Sequence, residues 1–238
     1  MNSSSYATPK FLNGKDKDAA MVGFVVLAGL FIASLVSCNL IFRKFFTWDL
    51  GGLTFEQSVG LLPYPLTFLV TDLISEVYGK RKANLVVLSG LAASLMVLLI
   101  VSLAGTVEAT GWSPVSGDEF DHVFGQTALA VGASMAAYLL AQFIDVRIFH
   151  FWKHLTHGKH LWLRNNLSTI PSQVVDTATV LVLLCAVGEI GWERFGALLL
   201  NGVLFKSLVA AADTPLVYVC VGWMRRRFGL AEGQEIDL

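Results

Sequence analysis

Charge is scarce in this chain: only 15% of its 238 residues are Asp, Glu, Lys or Arg, against 55% hydrophobic residues and a mean hydropathy of +0.63. A water-soluble domain cannot hide that much apolar surface in its own core, so the composition indicates an integral membrane protein. Equally missing are a glycine-rich phosphate loop, His-Glu-x-x-His and Gly-x-Ser-x-Gly. The first absence excludes nucleotide hydrolysis by this chain itself, and the others argue against an intramembrane enzyme. The three cysteines, Cys38, Cys185 and Cys220, lie in apolar runs without metal-ligand spacing. They read as small core residues, and neither a disulfide framework, a metal site nor a cofactor is expected. No linker or shift of composition divides the chain, which predicts one membrane domain.

What is present is a series of apolar runs, each near the roughly 20 residues needed to cross a bilayer. They predict an all-α protein with six transmembrane helices at Ala19–Ile41, Ser58–Tyr78, Ala83–Gly105, Thr127–Phe151, Ile170–Ile190 and Phe195–Met224. Residues 1–18 then form an N-terminal segment, 19–224 the membrane domain and 225–238 a tail. The first apolar run is too long for a cleaved export signal. "LVSC", ending at Cys38, resembles a lipoprotein cleavage box, but cleavage there would discard a span.

Basic residues set the orientation. Lys10, Lys15 and Lys17 precede the first predicted span, Lys80, Arg81 and Lys82 follow the second, Lys153, Lys159 and Arg164 the fourth, and Arg225, Arg226 and Arg227 the sixth. The alternate loops hold only Arg43, Lys44 and Arg194. Positive residues favour the cytoplasmic side, so both termini are expected inside. The acidic loop with Glu108, Asp118, Glu119 and Asp121 is expected outside.

Against this background the carboxylates within apolar runs stand out. An unpaired charge at mid-membrane costs roughly 2.5–3.5 kcal/mol on insertion scales, so such residues persist where they face protein or water. Tyr64, Phe68, Asp72 and Glu76 recur every four residues, one stripe of two aromatics and two carboxylates. Tyr138, Gln142 and Asp145 share a face of the fourth span, Gln173 and Asp176 a face of the fifth, and Lys206 and Asp213 one side of the sixth. Counted from the predicted inner ends, Asp72, Asp145 and Asp176 each lie six residues in, roughly 9 Å deep at the helical rise. One polar chamber shared by four helices is the expectation. Glu76 with Lys80, and Asp145 with Arg147, can equally be ordinary boundary pairs, and Lys206 can neutralise Asp213 or Asp176. Arg164, Asn165 and Asn166 precede Pro171, where a helix start would add free backbone N–H groups at the chamber mouth. Four of the five histidines, His150, His154, His157 and His160, crowd the inner end of the fourth span and read as a loop titrating near neutral pH.

The segments "YPLTFLVTDLISEVYGKRKA", "QFIDVRIF", "WLRNNLSTIPSQVVDT" and "FKSLVAAADTPLVY" together resemble the queuosine precursor transporter family, also grouped as vitamin uptake transporters. The resemblance runs from about Gly23 to Tyr218 and implies six transmembrane helices in a bacterial or archaeal cytoplasmic membrane. It also implies uptake of a 7-deazaguanine such as 7-cyano-7-deazaguanine. A carboxylate suits the ring N–H and exocyclic amine of such a base; Asp72, Asp145 and Asp176 are the candidates. Gln142, Gln173, Arg164, Asn165 or Lys206 would meet its carbonyl, and Tyr64, Phe68 or Trp162 would stack on the ring. Glu76 and Asp213 complete the expected substrate-binding set. The expected partners are a nucleobase-like substrate and lipid, not nucleic acid. Transport would run as a secondary carrier or by facilitated diffusion, with the buried carboxylates available to carry protons, or else, as the second reading, with a separate ATPase module as in energy-coupling-factor transporters. A homo-oligomer remains open, as does an intramembrane enzyme.

Overall fold

The computed structural model describes residues 9–41, 44–50, 53–125, 128–186, 188 and 190–238. Arg43 and Thr127 fall outside the described residues. The first element among the described residues is a two-residue strand, β1 (Lys10–Phe11), followed by helix α1 (Lys15–Ile41) and a hairpin of β2 (Phe45–Leu50) and β3 (Leu53–Ser58). A short 3-10 turn at Val59–Leu61 leads into α2 (Tyr64–Val77), α3 (Gly79–Gly105), α4 (Gly117–Phe124), α5 (Ala128–Leu155) and α6 (Leu161–Ala186). A second 3-10 turn at Trp192–Arg194 leads to α7 (Phe195–Phe228), and β4 (Ile236–Asp237) ends the chain.

Four segments, Lys15–Ile41, Gly79–Gly105, Leu161–Ala186 and Trp192–Phe228, are long and apolar enough to cross a membrane. Their outward apolar side chains, among them Val25 and Val26 on α1 and Met96, Leu99 and Ile100 on α3, are exposed. Soluble monomers rarely carry such continuous apolar surface.

The predicted span Ser58–Tyr78 is built differently. Its start belongs to the hairpin, where Phe45 pairs with Ser58 and Leu50 with Leu53 in antiparallel register. Its helical part, α2, has 14 residues, about 21 Å at the helical rise, too short to cross a hydrocarbon core of about 30 Å alone. Every residue from Thr67 to Val77 is buried. A helix apolar on most sides belongs in a core, and α2 is packed among α1, α3, α5 and α7. Pro65 in its first turn pre-sets φ and lacks only an N–H that would have no helical partner. At its other end Gly79, with φ of +83°, turns the chain directly into α3. A side chain there would be strained, and a Cβ would also strike the Glu235 carboxylate.

The predicted span Ile170–Ile190 is also displaced: α6 begins nine residues earlier, at Leu161, and carries Pro171 in its interior. Arg164, Asn165 and Asn166 therefore lie within a helix, not ahead of one. Proline denies a donor to the carbonyl one turn back, but helices packed in a membrane protein tolerate such a break.

The apolar core joins Phe31 and Leu35 of α1 to Val70 and Ile74 of α2, Val86 and Val87 of α3, and Tyr138 and Val146 of α5. Phe31 rests against Gly90, where an added Cβ would come within 2.5 Å of its ring and 3.0 Å of Leu35. Since Phe31 is fully buried and cannot swing away, Gly90→Val is expected to cost about 1–3 kcal/mol, read as a lower melting temperature in detergent.

Segments from opposite ends of the described chain meet at one end of the bundle. Strands β1 and β4 pair in parallel, Lys10 with Ile236 and Phe11 with Asp237, and the Lys10 ammonium donates to the Phe228 and Gly229 carbonyls at 2.9 Å. This satisfies two of the carbonyls at the end of α7 and sets a cation against its negative dipole end. Near the other end, Ser116 and Glu119 form a capping box on α4. Bonds from the Ser116 backbone N–H and then its hydroxyl hold the Glu119 carboxyl below its usual range. That cap is complete above the ordinary glutamate pKa and is lost as pH falls through the lowered one.

Candidate functional site

The α2 stripe organises the site as a ladder, with Glu76, Asp72, Phe68 and Tyr64 following one another at one-turn intervals. Each rung meets different neighbours.

Glu76 is enclosed by cations. Its Oε1 lies 2.6 Å from Arg164 Nη2 of α6 and 2.5 Å from Arg225 Nη2 of α7, and its Oε2 lies 3.7 Å from Lys153 Nζ of α5. Lys153 also pairs with Glu235 Oε1 of the C-terminal tail at 2.8 Å and donates to the Glu76 carbonyl at 3.0 Å. Arg164 donates to the carbonyls of Gly158 and Lys159, both at 2.8 Å, and its guanidinium lies 5.7 Å from the centre of the Phe149 ring. One buried carboxylate thus ties three helix ends and the tail together.

Asp72, one turn further along, meets another carboxylate. Its side chain lies within hydrogen-bond reach of Asp145 on α5. Asp145 Oδ1 accepts from Ser172 Oγ at 3.2 Å, whereas Asp72 Oδ1 and Asp145 Oδ2 have no donor among the described residues. Gln142 lies behind Asp72, its Oε1 3.4 Å from the Thr71 hydroxyl, and its Nε2 has no acceptor among the described residues.

The aromatic rungs face a third group. Lys206 Nζ of α7 donates to Asp176 Oδ2 of α6 at 2.7 Å and to Thr177 Oγ1 at 3.1 Å, and sits 4.5 Å from the centre of the Tyr64 ring. Tyr64 packs on Phe68 at 5.5 Å and on Tyr138 at 6.1 Å between ring centres.

Between α2, α6 and α7 these rungs open on a cleft of about 430 Å³, counting its open mouth. Tyr64, Phe68 and Asp72 line it from α2, Asn165, Thr169 and Gln173 from α6, and Phe205, Lys206 and Asp213 from α7. Seven of the residues singled out in the sequence therefore share one cavity: Tyr64, Phe68, Asp72, Asn165, Gln173, Lys206 and Asp213. Gln142 and Asp145 stand behind its wall, fully buried. Asp176 is held by Lys206, and Glu76 and Arg164 are held by each other. Trp162 is 51% exposed and lies outside the cleft lining.

The polar groups do not share one depth. Because α6 starts at Leu161, Asp176 lies fifteen residues into its helix, about 22 Å. The ladder is staggered: the Glu76 cluster lies nearest the chain ends, the Asp72–Asp145 pair follows, and the Lys206–Asp176 pair lies deeper. Sequence reasoning missed Lys153, Arg225 and Glu235, which it read only as topology signals or tail, and the Ser168, Thr169 and Ser172 hydroxyls beside Asp145. Among the described residues no three His, Cys, Asp or Glu side chains converge to hold a metal.

Comparison with known proteins adds a second line of observation. A family described as "Putative vitamin uptake transporter" matches residues 58–220, well over half of the chain. The chain is 27% identical over 194 residues to the "Probable queuosine precursor transporter" of Bacillus subtilis (strain 168), covering 80% of this chain and 82% of that protein. It is 26% identical over 125 residues to the "Queuosine precursor transporter" of Escherichia coli (strain K12), covering 52% of this chain and 53% of the other. A "Probable queuosine precursor transporter" of Haemophilus influenzae is 27% identical, again over 125 residues, covering 52% of this chain and 50% of that protein. No solved structure matches the chain.

Proposed function

The chain belongs to the vitamin uptake transporter family, and on that premise we propose that it imports a queuosine precursor, 7-cyano-7-deazaguanine or a close 7-deazaguanine, across a bacterial cytoplasmic membrane. The names of its relatives speak for a transporter of this substrate class rather than an enzyme.

One observation carries the substrate reading. Asp72 Oδ1, Asn165 Oδ1 and Gln173 Oε1, all on cleft-lining residues, are buried acceptors without a donor among the described residues. Leaving such groups unmet costs about 1–3 kcal/mol each, so the cleft favours a flat ligand rich in N–H donors. A 7-deazaguanine presents a ring N–H and an exocyclic amine side by side, which the Asp72 carboxylate accepts together, and a further N–H on its five-membered ring. Charge-assisted pairs of this kind are about twice as strong as neutral ones. Lys206 supplies a donor for the carbonyl, and Tyr64 and Phe68 supply a face for the ring.

The orientation follows from charge. The paired strands β1 and β4 and the Lys153, Arg164 and Arg225 cluster lie on the basic side, which the positive-inside rule assigns to the cytoplasm. The Glu76 ion cluster then closes the inner end, with residues 19–224 as the transport domain.

The test is binding of 7-cyano-7-deazaguanine to detergent-purified protein, with guanine and an unrelated vitamin as controls. Saturable binding that excludes the vitamin is expected. No binding of any deazapurine would overturn the substrate assignment.

A further inference from the structure

The Asp72–Asp145 pair lies at the boundary between cleft and core. Asp72 lines the cleft, whereas Asp145, behind it on α5, has no exposed surface. A carboxylate oxygen can only accept, so two carboxyl groups in hydrogen-bond contact require a proton between them or a donor from elsewhere. The nearby cations are engaged: Arg164 and Lys153 with Glu76, and Lys206 with Asp176. Two further buried groups next to the pair are also unmatched, Gln142 Nε2 one turn before Asp145 and Asn165 Oδ1 on the cleft wall beside Asp72. On the Asp145 side, by contrast, Ser168, Thr169 and Ser172 of α6 surround the carboxyl with hydroxyls that donate or accept as its protonation changes.

From this geometry we infer that Asp72 and Asp145 form a one-proton site that couples substrate entry to the proton gradient, an inference that rests on the transport reading above. The substrate takes the Asp72 carboxylate from the cleft side, and the proton stays on Asp145. With both aboard, the pair carries one negative charge. With substrate alone it would carry two adjacent negative charges in a buried site whose cations are already paired, an arrangement disfavoured by repulsion and desolvation. One proton therefore enters with each substrate and leaves with it on the far side, and no bond of the substrate is made or broken. Among the described residues, the titratable groups facing the pair are Glu76 on α2 and Arg164 on α6, with Lys153 and His150 on α5 beside them, and Tyr64 on α2 and Lys206 and Asp213 on α7 across the cleft, where Lys206 holds Asp176.

The experiment uses the full chain in liposomes loaded with a pH-sensitive dye and supplied with 7-cyano-7-deazaguanine. An acidic exterior is expected to drive accumulation, about tenfold for each unit of pH difference at one-to-one coupling, with acidification of the lumen only when substrate is present. In detergent, substrate affinity of the wild-type protein falls as pH rises. In Asp145→Asn, which mimics the protonated residue, that profile becomes flat, and both proton entry and accumulation above equilibrium are lost. The wild-type proton signal decides the question even if this variant does not fold. Uptake without proton movement, or accumulation driven by a sodium gradient at equal pH, overturns the coupling and leaves the transport reading intact. Failure to exchange any deazapurine, even without a gradient, overturns both.

Discussion

Asp72→Asn is expected to abolish uptake of 7-cyano-7-deazaguanine while the protein still inserts in the membrane at normal levels. The amide keeps the shape but replaces one acceptor oxygen with an NH2 that opposes the donor edge of the base. Two hydrogen bonds to a charged acceptor, at about 1.5–3 kcal/mol each, are lost or reversed, so affinity falls on the order of a hundredfold to ten-thousandfold. Stability is expected to hold or rise, because the variant removes one of two buried carboxyls in contact and gains a donor toward Asp145. Equilibrium binding and thermal melting of the purified variant separate the two effects. Full uptake by Asp72→Asn would remove Asp72 from the substrate site.

Glu76→Gln is expected to act in the opposite sense, on the fold before the substrate. Its carboxylate serves Arg164, Arg225 and Lys153 together. Arg225 is 20% exposed and can turn to solvent, and Lys153 keeps Glu235 and two backbone carbonyls. Arg164 has no such escape, being wholly buried, with only two carbonyls and the face of the Phe149 ring left to it. Breaking a buried pair by removing one member costs about 3–5 kcal/mol, which lowers the melting temperature by roughly 10 °C for a chain of this size. Glu76→Gln combined with Arg164→Met should recover much of that loss, since the stranded charge is removed with its partner. An unchanged melting temperature in the single variant would mean that the cluster does not hold the helix ends together.

These two carboxylates show where sequence reading ends. Asp72 and Glu76 are the same chemical type on the same helical stripe, one turn apart, and period alone assigns both to one chamber. In the folded chain three cations from three helices meet Glu76, whereas Asp72 meets a second carboxyl and an open cleft. No local pattern marks that difference, because Lys153 and Arg225 belong to basic runs whose sequence meaning is orientation. Hydropathy also misjudged two elements for physical reasons. Ser58–Tyr78 is apolar throughout because α2 is buried in protein on nearly every side, not because it crosses lipid alone. The polar start of α6 sits inside a helix because Arg164 and Asn165 turn toward protein, and Pro171 is tolerated there.

The sequence by itself determined the membrane setting, the basic side of the bundle, and the faces that carry Tyr64, Phe68, Asp72, Gln142, Asp145, Gln173, Asp176, Lys206 and Asp213. Each of these follows from composition or from the fixed period of a helix, which local sequence controls. Only the tertiary structure decided which charges neutralise one another, that α2 is a short central helix, and that the unmatched acceptors of Asp72, Asn165 and Gln173 lie on residues lining a common cleft. Those outcomes depend on how residues distant in the chain approach within a few ångströms, and packing of α2 against α5 and α7, and of α6 against both of those helices, sets those distances.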